Sequence, residues 1–350
     1  MQEQTLPSRR FGVGIIGAGL VTRSIHLPAL AALSDQFVVR ALWDVDAVLT
    51  EVLAATCGAR ASADLAGLLA EPDIDVVAIC SPARFHADHA IAALRAGAKV
   101  VLVEKPLCSS AEEAEAIAAT ARETGGTVIV GAMHLYDAAW QFMAARVEEM
   151  AQRPALIRSS IILPPNRRFD GWSSEPVVPP VVATPPQRTL PEMMRISILE
   201  LAIHNLPLVR RLLAPGAQPE VLLARRFRPF GYMVSIRAGE QLIDLFAFLH
   251  GHWKPQWTLT ATAPDWQASA EFTPSFVMAG SGSARFVDTA DALMLNPTAE
   301  NGYLGEWRAI AAILSVTAPP PDPRDFVADF NFALSIAEQA VALISAGEAQ

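Results

Sequence analysis

The stretch Phe11-Gly-Val-Gly-Ile-Ile-Gly-Ala-Gly-Leu20 joins a short apolar run to a glycine-rich turn. We expect the turn where a strand gives way to a helix, and its residues are Gly17, Ala18, Gly19 and Leu20. Gly17 would allow the tight bend, and Gly19 would let the backbone approach a pyrophosphate at the helix N-terminus. The third position of this motif is Thr22 rather than glycine or alanine, so the turn alone gives weak support for a dinucleotide site.

An acidic residue at the end of the second predicted strand strengthens this interpretation. Asp44 closes the run Ala41-Leu-Trp-Asp44, 25 residues after Gly19. A carboxylate there can accept hydrogen bonds from the ribose hydroxyls of a nucleotide and repels a 2′-phosphate. No arginine stands at positions 45 and 46, so NAD is favoured over NADP as the cofactor. A solvated loop acid is the alternative.

Short β-rich runs alternate with alanine-rich helical stretches from residue 11 to about residue 131. The predicted strands are Phe11–Ile16, Phe37–Trp43, Asp75–Cys80, Lys99–Val103 and Thr127–Val130. Continuous apolar strands that alternate with helices indicate a parallel sheet covered on both faces. The sequence therefore predicts an α/β protein whose first domain, residues 1–131, is a dinucleotide-binding Rossmann domain.

The sequence changes in character after about residue 150. Eight prolines fall between Pro164 and Pro191, and we interpret this stretch as a long loop over a cleft. Strand-like runs without intervening helices lie between Val221 and Val287 and indicate an antiparallel sheet. Phe326–Ile344 is predicted to be a closing amphipathic helix. These elements form the predicted second domain, residues 132–350.

Composition narrows the class of function. The 27 Lys and Arg residues against 36 Asp and Glu give a formal charge of −9, which argues against nucleic acid or an anionic membrane as a partner. Three cysteines without metal-like spacing argue against a disulfide framework or a zinc module and favour a reducing compartment. No window of about 18 apolar residues is free of charge and proline, so no transmembrane helix is predicted.

The N-terminus carries a sequence that looks like an export signal. Ser8-Arg9-Arg10-Phe11 resembles a twin-arginine signal, but the apolar stretch that follows would cross the glycine turn. Cleavage there would destroy the dinucleotide motif, so we expect a cytoplasmic protein.

Three motifs occur in order at the ends of successive predicted strands. They are Gly17-Ala-Gly19, Ser81-Pro82-Ala-Arg-Phe-His86 and Glu104-Lys105-Pro106. The set resembles the Gfo/Idh/MocA family, the group of glucose-fructose oxidoreductase and inositol dehydrogenase. The resemblance is close over residues 11 to about 131 and weaker beyond. It implies that Ser81, Pro82, His86 and Glu104 belong to the cofactor site.

The resemblance also implies an architecture and an activity. The C-terminal α+β domain would contain a large, open and mainly antiparallel sheet, and the protein would assemble as a homodimer or homotetramer. Family enzymes mostly oxidise a secondary alcohol of a sugar or cyclitol, or catalyse the reverse reaction. We therefore expect a small-molecule substrate.

Lys105 has the clearest chemical signal in the chain. It is one of only three lysines, against 24 arginines, so an ammonium group is specifically selected at this strand end. Lysine can shift its pKa and move a proton, whereas arginine stays protonated. The family resemblance implies that this lysine lies near the nicotinamide and the substrate. A leftover surface lysine is the alternative.

The resemblance further implies an acid and a catalytic histidine four residues apart on a helix of the second domain. Glu200-Leu-Ala-Ile-His204 is the only good candidate; Glu stands where the family has Asp, and the glycine-rich run that normally precedes the acid is missing. On one helical face, Glu200 could orient the imidazole of His204. A buried structural histidine or an exposed pair is the alternative.

Other polar residues give weaker signals. His134 and Tyr136 follow the last strand of the first domain and are candidates for contacts with the substrate, or for packing. The arginines around the proline-rich stretch could bind an acidic substrate or form a solvated rim; they are Arg167, Arg168, Arg188 and Arg195. His86 and His89 lack an apparent further ligand, so no metal site is predicted.

The predicted function is an NAD-dependent dehydrogenase that acts on a CH–OH group of a sugar, cyclitol or related polyol. Lys105 and His204 would handle the proton. Two alternatives remain. One is a non-catalytic NAD-binding regulator of the galactose-regulatory type, and the other is an enzyme that retains NAD for transient oxidation, as in glycosidase-like cleavage.

Overall fold

The computed structural model describes residues 9–163, 188–228, 230–249, 255–275 and 278–348. The chain divides into two compact units. The first unit holds Met1–Ala132 and Tyr303–Phe330, and the second holds Met133–Gly302 and Asn331–Gln350. Arg167, Arg168 and most of the predicted loop between Pro164 and Pro191 lie outside the described residues.

The division differs from the predicted domains in one segment. Sequence reasoning assigned everything after residue 131 to the second domain, whereas Tyr303–Phe330 packs with the first unit. The reason is aromatic burial. Trp307 is fully buried, and its ring meets Phe37 and His26 edge-on, with centroids 5.2 and 5.9 Å apart.

The first unit is built on a six-stranded sheet. Its strands are β1 (Phe11–Ile16), β2 (Phe37–Trp43), β3 (Arg60–Ala61), β4 (Val76–Ile79), β5 (Val100–Glu104) and β6 (Thr127–Gly131). The order is β3-β2-β1-β4-β5-β6, and neighbouring strands run parallel. The predicted Rossmann sheet is confirmed. Its strand order reverses between β1 and β4, where doubly wound sheets bind ligands beyond the strand carboxyl ends.

Helices cover this sheet, and three of them begin at polar caps. They are α1 (Leu27–Ala32), α2 (Ala47–Cys57), α3 (Leu65–Leu69), α4 (His86–Arg95) and α5 (Ala111–Thr124). Side-chain oxygens of Asp46, Asp64 and Ser110 accept from the first turns of α2, α3 and α5, which satisfies amide groups that the helix itself leaves open. Gly125 ends α5 with a φ of 73°, a left-handed conformation that glycine adopts without strain.

The second unit contains an eight-stranded mixed sheet. Its strands are β7 (Leu156–Leu163), β8 (Pro219–Phe227), β9 (Gly231–Ala238), β10 (Gln241–Leu249), β11 (Gln256–Thr262), β12 (Trp266–Glu271), β13 (Ser283–Asp288) and β14 (Ala292–Leu295). The order is β14-β13-β12-β11-β7-β10-β9-β8. β7 and β10 pair in parallel, and the other described pairs are antiparallel. The predicted large, mainly antiparallel sheet is therefore confirmed.

The remaining helices are α6 (Ala138–Glu148), α7 (Leu190–Ile196), α8 (Leu206–Leu212), α9 (Gly302–Leu314) and α10 (Pro323–Glu348). α10 is the predicted closing helix, and Ala333, Ile336, Ala337 and Ala340 pack into the core of the second unit. Within the described residues, α10 is the one helix long and apolar enough to cross a bilayer by length and composition. A core helix passes the same test, so the expected absence of a membrane span stays a prediction.

Candidate functional site

The glycine turn follows β1 at the carboxyl edge of the first unit's sheet. Gly17 has a φ of 100°, which side chains rarely adopt, and its N–H donates to the Trp43 carbonyl oxygen over 2.7 Å. A Cβ at Gly17 would lie 2.7 Å from the backbone of Cys80, whereas a Cβ at Gly19 would meet nothing within 4 Å. Gly17 therefore closes the turn against its neighbours, and Gly19 leaves the backbone of the turn open to a ligand.

Thr22 takes the position where the motif usually has glycine or alanine. Its side chain is fully buried, and its hydroxyl donates to the Gly17 carbonyl oxygen over 2.6 Å. It begins a π-helical turn, Thr22–His26, and such turns are frequent at functional sites. Thr22, which departs from the usual motif, therefore connects the start of the helix to the glycine turn by a hydrogen bond. Leu20 lies two residues before the π-helical turn and is 39% exposed.

Asp44 is held directly beside the glycine turn. Its Oδ2 accepts from the Ala18 amide over 2.7 Å, and its Oδ1 accepts from the Asp46 amide over 3.0 Å. A carboxylate has about four acceptor sites, so these two bonds leave capacity for ribose hydroxyls. The structure therefore brings the predicted acid and the predicted turn together, as a nucleotide site requires.

His86 connects two of the predicted motifs. Its ring is 1% exposed; Nδ1 lies 2.8 Å from the Pro106 carbonyl oxygen and Nε2 lies 2.7 Å from the Ser81 carbonyl oxygen. Each of these carbonyl oxygens lies within hydrogen-bonding distance of one ring nitrogen. His86 therefore clamps the turn after β4 to the turn after β5. The predicted contact of His86 with a cofactor stays a prediction.

Ser81 and Pro82, the other residues of this motif, are more exposed than His86. The Ser81 hydroxyl pairs with His89 Nδ1 over 2.9 Å, and Pro82 is exposed. Burial and the neighbouring His86 lower the pKa of His89, so its ring is neutral at physiological pH.

Glu104 ends β5 and fixes the backbone of the lysine that follows. Its Oε2 accepts from the Lys105 amide over 3.1 Å, and its Oε1 lies 2.9 Å from His26 Nε2. Burial raises the pKa of Glu104, but His26 and Lys105 outweigh this effect and lower it, so the side chain is a carboxylate. The Lys105–Pro106 peptide is cis. The bond from Glu104 holds the Lys105 backbone at the carboxyl edge of the sheet, the edge that also carries the glycine turn.

The candidate histidines of the second unit lie in an aromatic cluster. His204 is 4% exposed and His134 is 3% exposed. The His204 ring meets Trp257 edge-on, with centroids 5.1 Å apart, and lies 6.0 Å from the His134 ring. His134 also stacks on Phe272 with a centroid separation of 4.2 Å. Tyr136 ends the 3-10 turn Met133–Tyr136 and is partly buried.

Asn205 organises this cluster through its side-chain amide. Its Oδ1 lies 2.9 Å from His134 Nδ1 and accepts from Trp257 Nε1 over 3.1 Å, and its Nδ2 donates to the Ser159 hydroxyl over 2.9 Å. Burial lowers the pKa of His134 to about 4, against the opposing effect of the bond to Asn205. His134 is therefore neutral at physiological pH.

The expectation that Glu200 and His204 share one helical face is wrong. α7 ends at Ile196, Glu200 lies in a π turn, Ser197–Leu201, and His204 ends a 3-10 turn, Ala202–His204. A spacing of four aligns side chains only when an α-helix continues between them. Glu200 is accordingly exposed while His204 is buried. Arg188 is exposed, and Arg195 lies in the last turn of α7.

Lys105 belongs to the first unit and His204 to the second, so the predicted reach between them stays a prediction. Sequence reasoning did not single out His26, Asn205 or Glu306. For His26 alone the sequence gives a local sign of burial, because this histidine stands inside the apolar run Ile25-His-Leu27. A polar residue in such a run is typical of a buried polar group. Glu306 stands 202 residues beyond Glu104 in the chain, and no local pattern connects them.

Comparison with known proteins identifies the first unit. Residues 11–132 match the model of an oxidoreductase family with an NAD-binding Rossmann fold. The chain is 32% identical over 137 residues to inositol 2-dehydrogenase 3 of Saccharopolyspora erythraea, an alignment that covers 39% of this chain and 40% of that protein. The chain thus spans about two fifths of the length of the curated relatives it matches.

Solved structures resemble nearly the whole chain. UDP-N-acetylglucosamine 3-dehydrogenase from Acidithiobacillus ferrooxidans aligns with a TM-score of 0.73 at 20% identity, over 95% of this chain and 99% of that chain. A 3-ketoreductase from Actinomadura kijaniata, solved with NADP and TDP-benzene, aligns with a TM-score of 0.69 at 20% identity, over 92% and 95%. At this identity the likeness shows the fold of both units.

Proposed function

We propose that the chain, whose residues 11–132 match the Gfo/Idh/MocA oxidoreductase family with its NAD-binding Rossmann fold, transfers a hydride between NAD and a secondary alcohol of a sugar, cyclitol or related polyol. The proposal rests mainly on one arrangement at the carboxyl edge of the first unit. There the open space at Gly19, the Asp44 carboxylate and Lys105 follow three strands of one sheet. Relatives of the chain are named inositol 2-dehydrogenase and D-glucoside 3-dehydrogenase, which supports this substrate class.

The residues of the glycine turn and Asp44 would hold the cofactor. The turn from Gly17 to Leu20 would receive the pyrophosphate, and Asp44 would accept from the adenosine ribose. Ser81, Pro82 and His86 follow the adjacent strand and would complete the site. Because the Asp44 carboxylate repels a 2′-phosphate, we prefer NAD, although the 3-ketoreductase with the same fold was solved with NADP.

Lys105 and His204 are the proposed handlers of the proton. A bound nicotinamide supplies the hydride chemistry, and the hydroxyl proton of the alcohol must leave as the hydride does. Lys105 suits this task, since Glu104 holds its amide and His86 holds the carbonyl of the next residue. His204 would act as the acid/base partner, and its buried aromatic surroundings would fix its ring. His134 and Tyr136 would contact the substrate.

The decisive experiment is a screen of NAD+ reduction against sugars, cyclitols and hydroxy acids, followed by NADH absorbance. Lys105→Ala is the test variant, and Lys99→Ala, at an exposed lysine of the same unit, is the matched control. Turnover that Lys105→Ala abolishes and Lys99→Ala keeps would support the proposal. Tight NAD binding without turnover of any substrate would favour the regulator, and turnover without NADH release would favour transient oxidation.

We also propose a cytoplasmic homodimer or homotetramer with no nucleic acid or membrane partner. The three cysteines, Cys57, Cys80 and Cys108, are free thiols, which suits a reducing compartment. Light scattering at several protein concentrations tests the assembly, and a monomer at all of them would overturn it.

A further inference from the structure

A buried cluster of ionisable side chains adjoins Lys105 in the first unit. It consists of His26 from the π turn, Glu104 from β5 and Glu306 from α9, with Trp307 beside them, and we call it the Glu104 cluster. His26 and Glu306 are 0% exposed and Glu104 is 7% exposed. Burying two carboxyl groups together is costly, and the proposed reaction uses neither His26 nor Glu306.

The hydrogen bonds define the proton on His26. Trp307 Nε1 donates to His26 Nδ1 over 3.2 Å, and an indole nitrogen can only donate. His26 therefore carries its proton on Nε2 and donates it to Glu104 Oε1. Burial disfavours a charged ring, but Cys80 and Glu104 outweigh this effect and raise the pKa of His26 well above its usual value.

Both oxygens of Glu104 are consequently occupied as acceptors. Oε1 receives the proton of His26, and Oε2 receives the amide proton of Lys105. A carboxylate can accept at both oxygens, whereas a carboxylic acid must donate from one of them. The two bonds can therefore form together only when Glu104 is ionised.

Glu306 is the second carboxyl group of the cluster. Neither of its oxygens has a hydrogen-bond partner within the part of the chain that the structure describes. Burial and the charge of Glu104 raise the pKa of Glu306 well above its usual value, and His26 opposes this only in part. Other titratable groups near the cluster are Cys80, which acts on His26, Tyr303, whose pKa burial, Glu104 and Glu306 raise, and Lys105, whose charge acts on Glu104.

We propose that the buried carboxyl group of Glu306, unpartnered among the described residues, is protonated, so that the Glu104 cluster holds a single carboxylate, that of Glu104. Two neighbouring carboxylates in a low-dielectric interior cannot both persist, so one of them must carry a proton. If that proton lay on Glu104, an O–H would oppose either the His26 N–H or the Lys105 N–H. The inference rests on the proposed function only where it connects the cluster to the activity of Lys105.

The first test measures stability against pH. When folding raises the pKa of an acid, the protein loses stability as the pH rises from the unfolded pKa of that acid, about 4.3, towards its folded pKa. Glutamine cannot ionise, so Glu306→Gln should have a Tm close to that of the unmodified protein near pH 4.5 and increasingly above it towards about pH 8. Glu115→Gln, at an exposed position of α5, should give no such trend.

The second test measures steady-state kinetics with the substrate found in the screen. Glu306→Gln should keep kcat within about threefold, because an amide imitates a neutral acid. Glu104→Gln should lower kcat at least about tenfold with the KM for NAD little changed, because one acceptor replaces two. If Glu104→Gln does not fold, the stability series of Glu306→Gln still decides the protonation of Glu306.

The outcomes separate this inference from the proposed function. If the Tm difference between Glu306→Gln and the unmodified protein does not change with pH, or falls as the pH rises, the inference that Glu306 is protonated is overturned. Unchanged kcat in Glu104→Gln overturns its control of Lys105. Full activity in Lys105→Ala contradicts the proposed function instead. The dependence of Tm on pH in Glu306→Gln then still tests whether Glu306 is protonated.

Discussion

Replacing Gly17 by alanine tests the geometry of the glycine turn. An L-residue at a φ of 100° carries backbone strain of about 1–3 kcal/mol. The new Cβ would lie 2.7 Å from the Cys80 carbonyl group, which is backbone and cannot swing aside, and such overpacking costs about 1–3 kcal/mol more. The sum is about 2–6 kcal/mol, so we expect the unfolding temperature of the first unit to fall by roughly 5–20 °C.

Gly19→Ala is the matched control, two residues along the same turn. A Cβ at Gly19 would touch no atom within 4 Å, so its stability should change by no more than about 0.5 kcal/mol. Its methyl group would instead occupy the space assigned to the pyrophosphate and weaken NAD binding at least about tenfold, or 1.4 kcal/mol. Thermal unfolding by circular dichroism and NAD titration by fluorescence measure the two effects. An unchanged unfolding temperature in Gly17→Ala, or unchanged NAD affinity in Gly19→Ala, would refute this account of the turn.

Four further predictions each concern a single side chain. Asp44→Ala should weaken NAD binding and relax the discrimination against NADP, since it removes an acceptor and a repelling charge; tighter binding of NADP by the unmodified protein would contradict this. Lys105→Arg keeps the charge but cannot shuttle a proton, so steady-state assays should show that most of the activity is lost. His204→Ala removes the proposed acid/base, so its kcat should fall about 10²–10⁴-fold while NAD binding stays intact. Because burial lowers the pKa of His134 to about 4, the unmodified protein should lose up to about 3 kcal/mol of stability as the pH falls from about 6.5 to 4. His134→Gln should flatten that loss in urea titrations, and an unchanged slope would count against it.

The fold of the first unit was predictable because its signals are local. Each strand is a continuous apolar run, and the turn between β1 and the first helix needs glycine for a backbone reason that sequence displays directly. Asp44 was predictable for the same reason, since it ends a strand at a known distance from Gly19. The mainly antiparallel sheet of the second unit followed from strand-like runs without helices between them.

The pair of Glu200 and His204 shows where a local pattern fails. Its spacing of four residues predicts one face only for a regular α-helix. The chain instead changes from a π turn to a 3-10 turn between the two residues, and neither type of turn has a distinctive composition. Burial of His204 also depends on Trp257, which stands 53 residues later in the chain, so sequence spacing could not reveal it.

The Glu-Lys-Pro motif illustrates why a short match is an incomplete description of a site. The Lys105 amide is held by Glu104, but Glu104 is oriented by His26, and His26 is oriented by Trp307 from a distant helix. The carbonyl of Pro106 is held separately by His86. The position of Lys105 is therefore a property of side chains from four segments rather than of three consecutive residues. A chain that kept Glu104, Lys105 and Pro106 but lost His26 and His86 would keep the motif without the bonds that fix the lysine backbone.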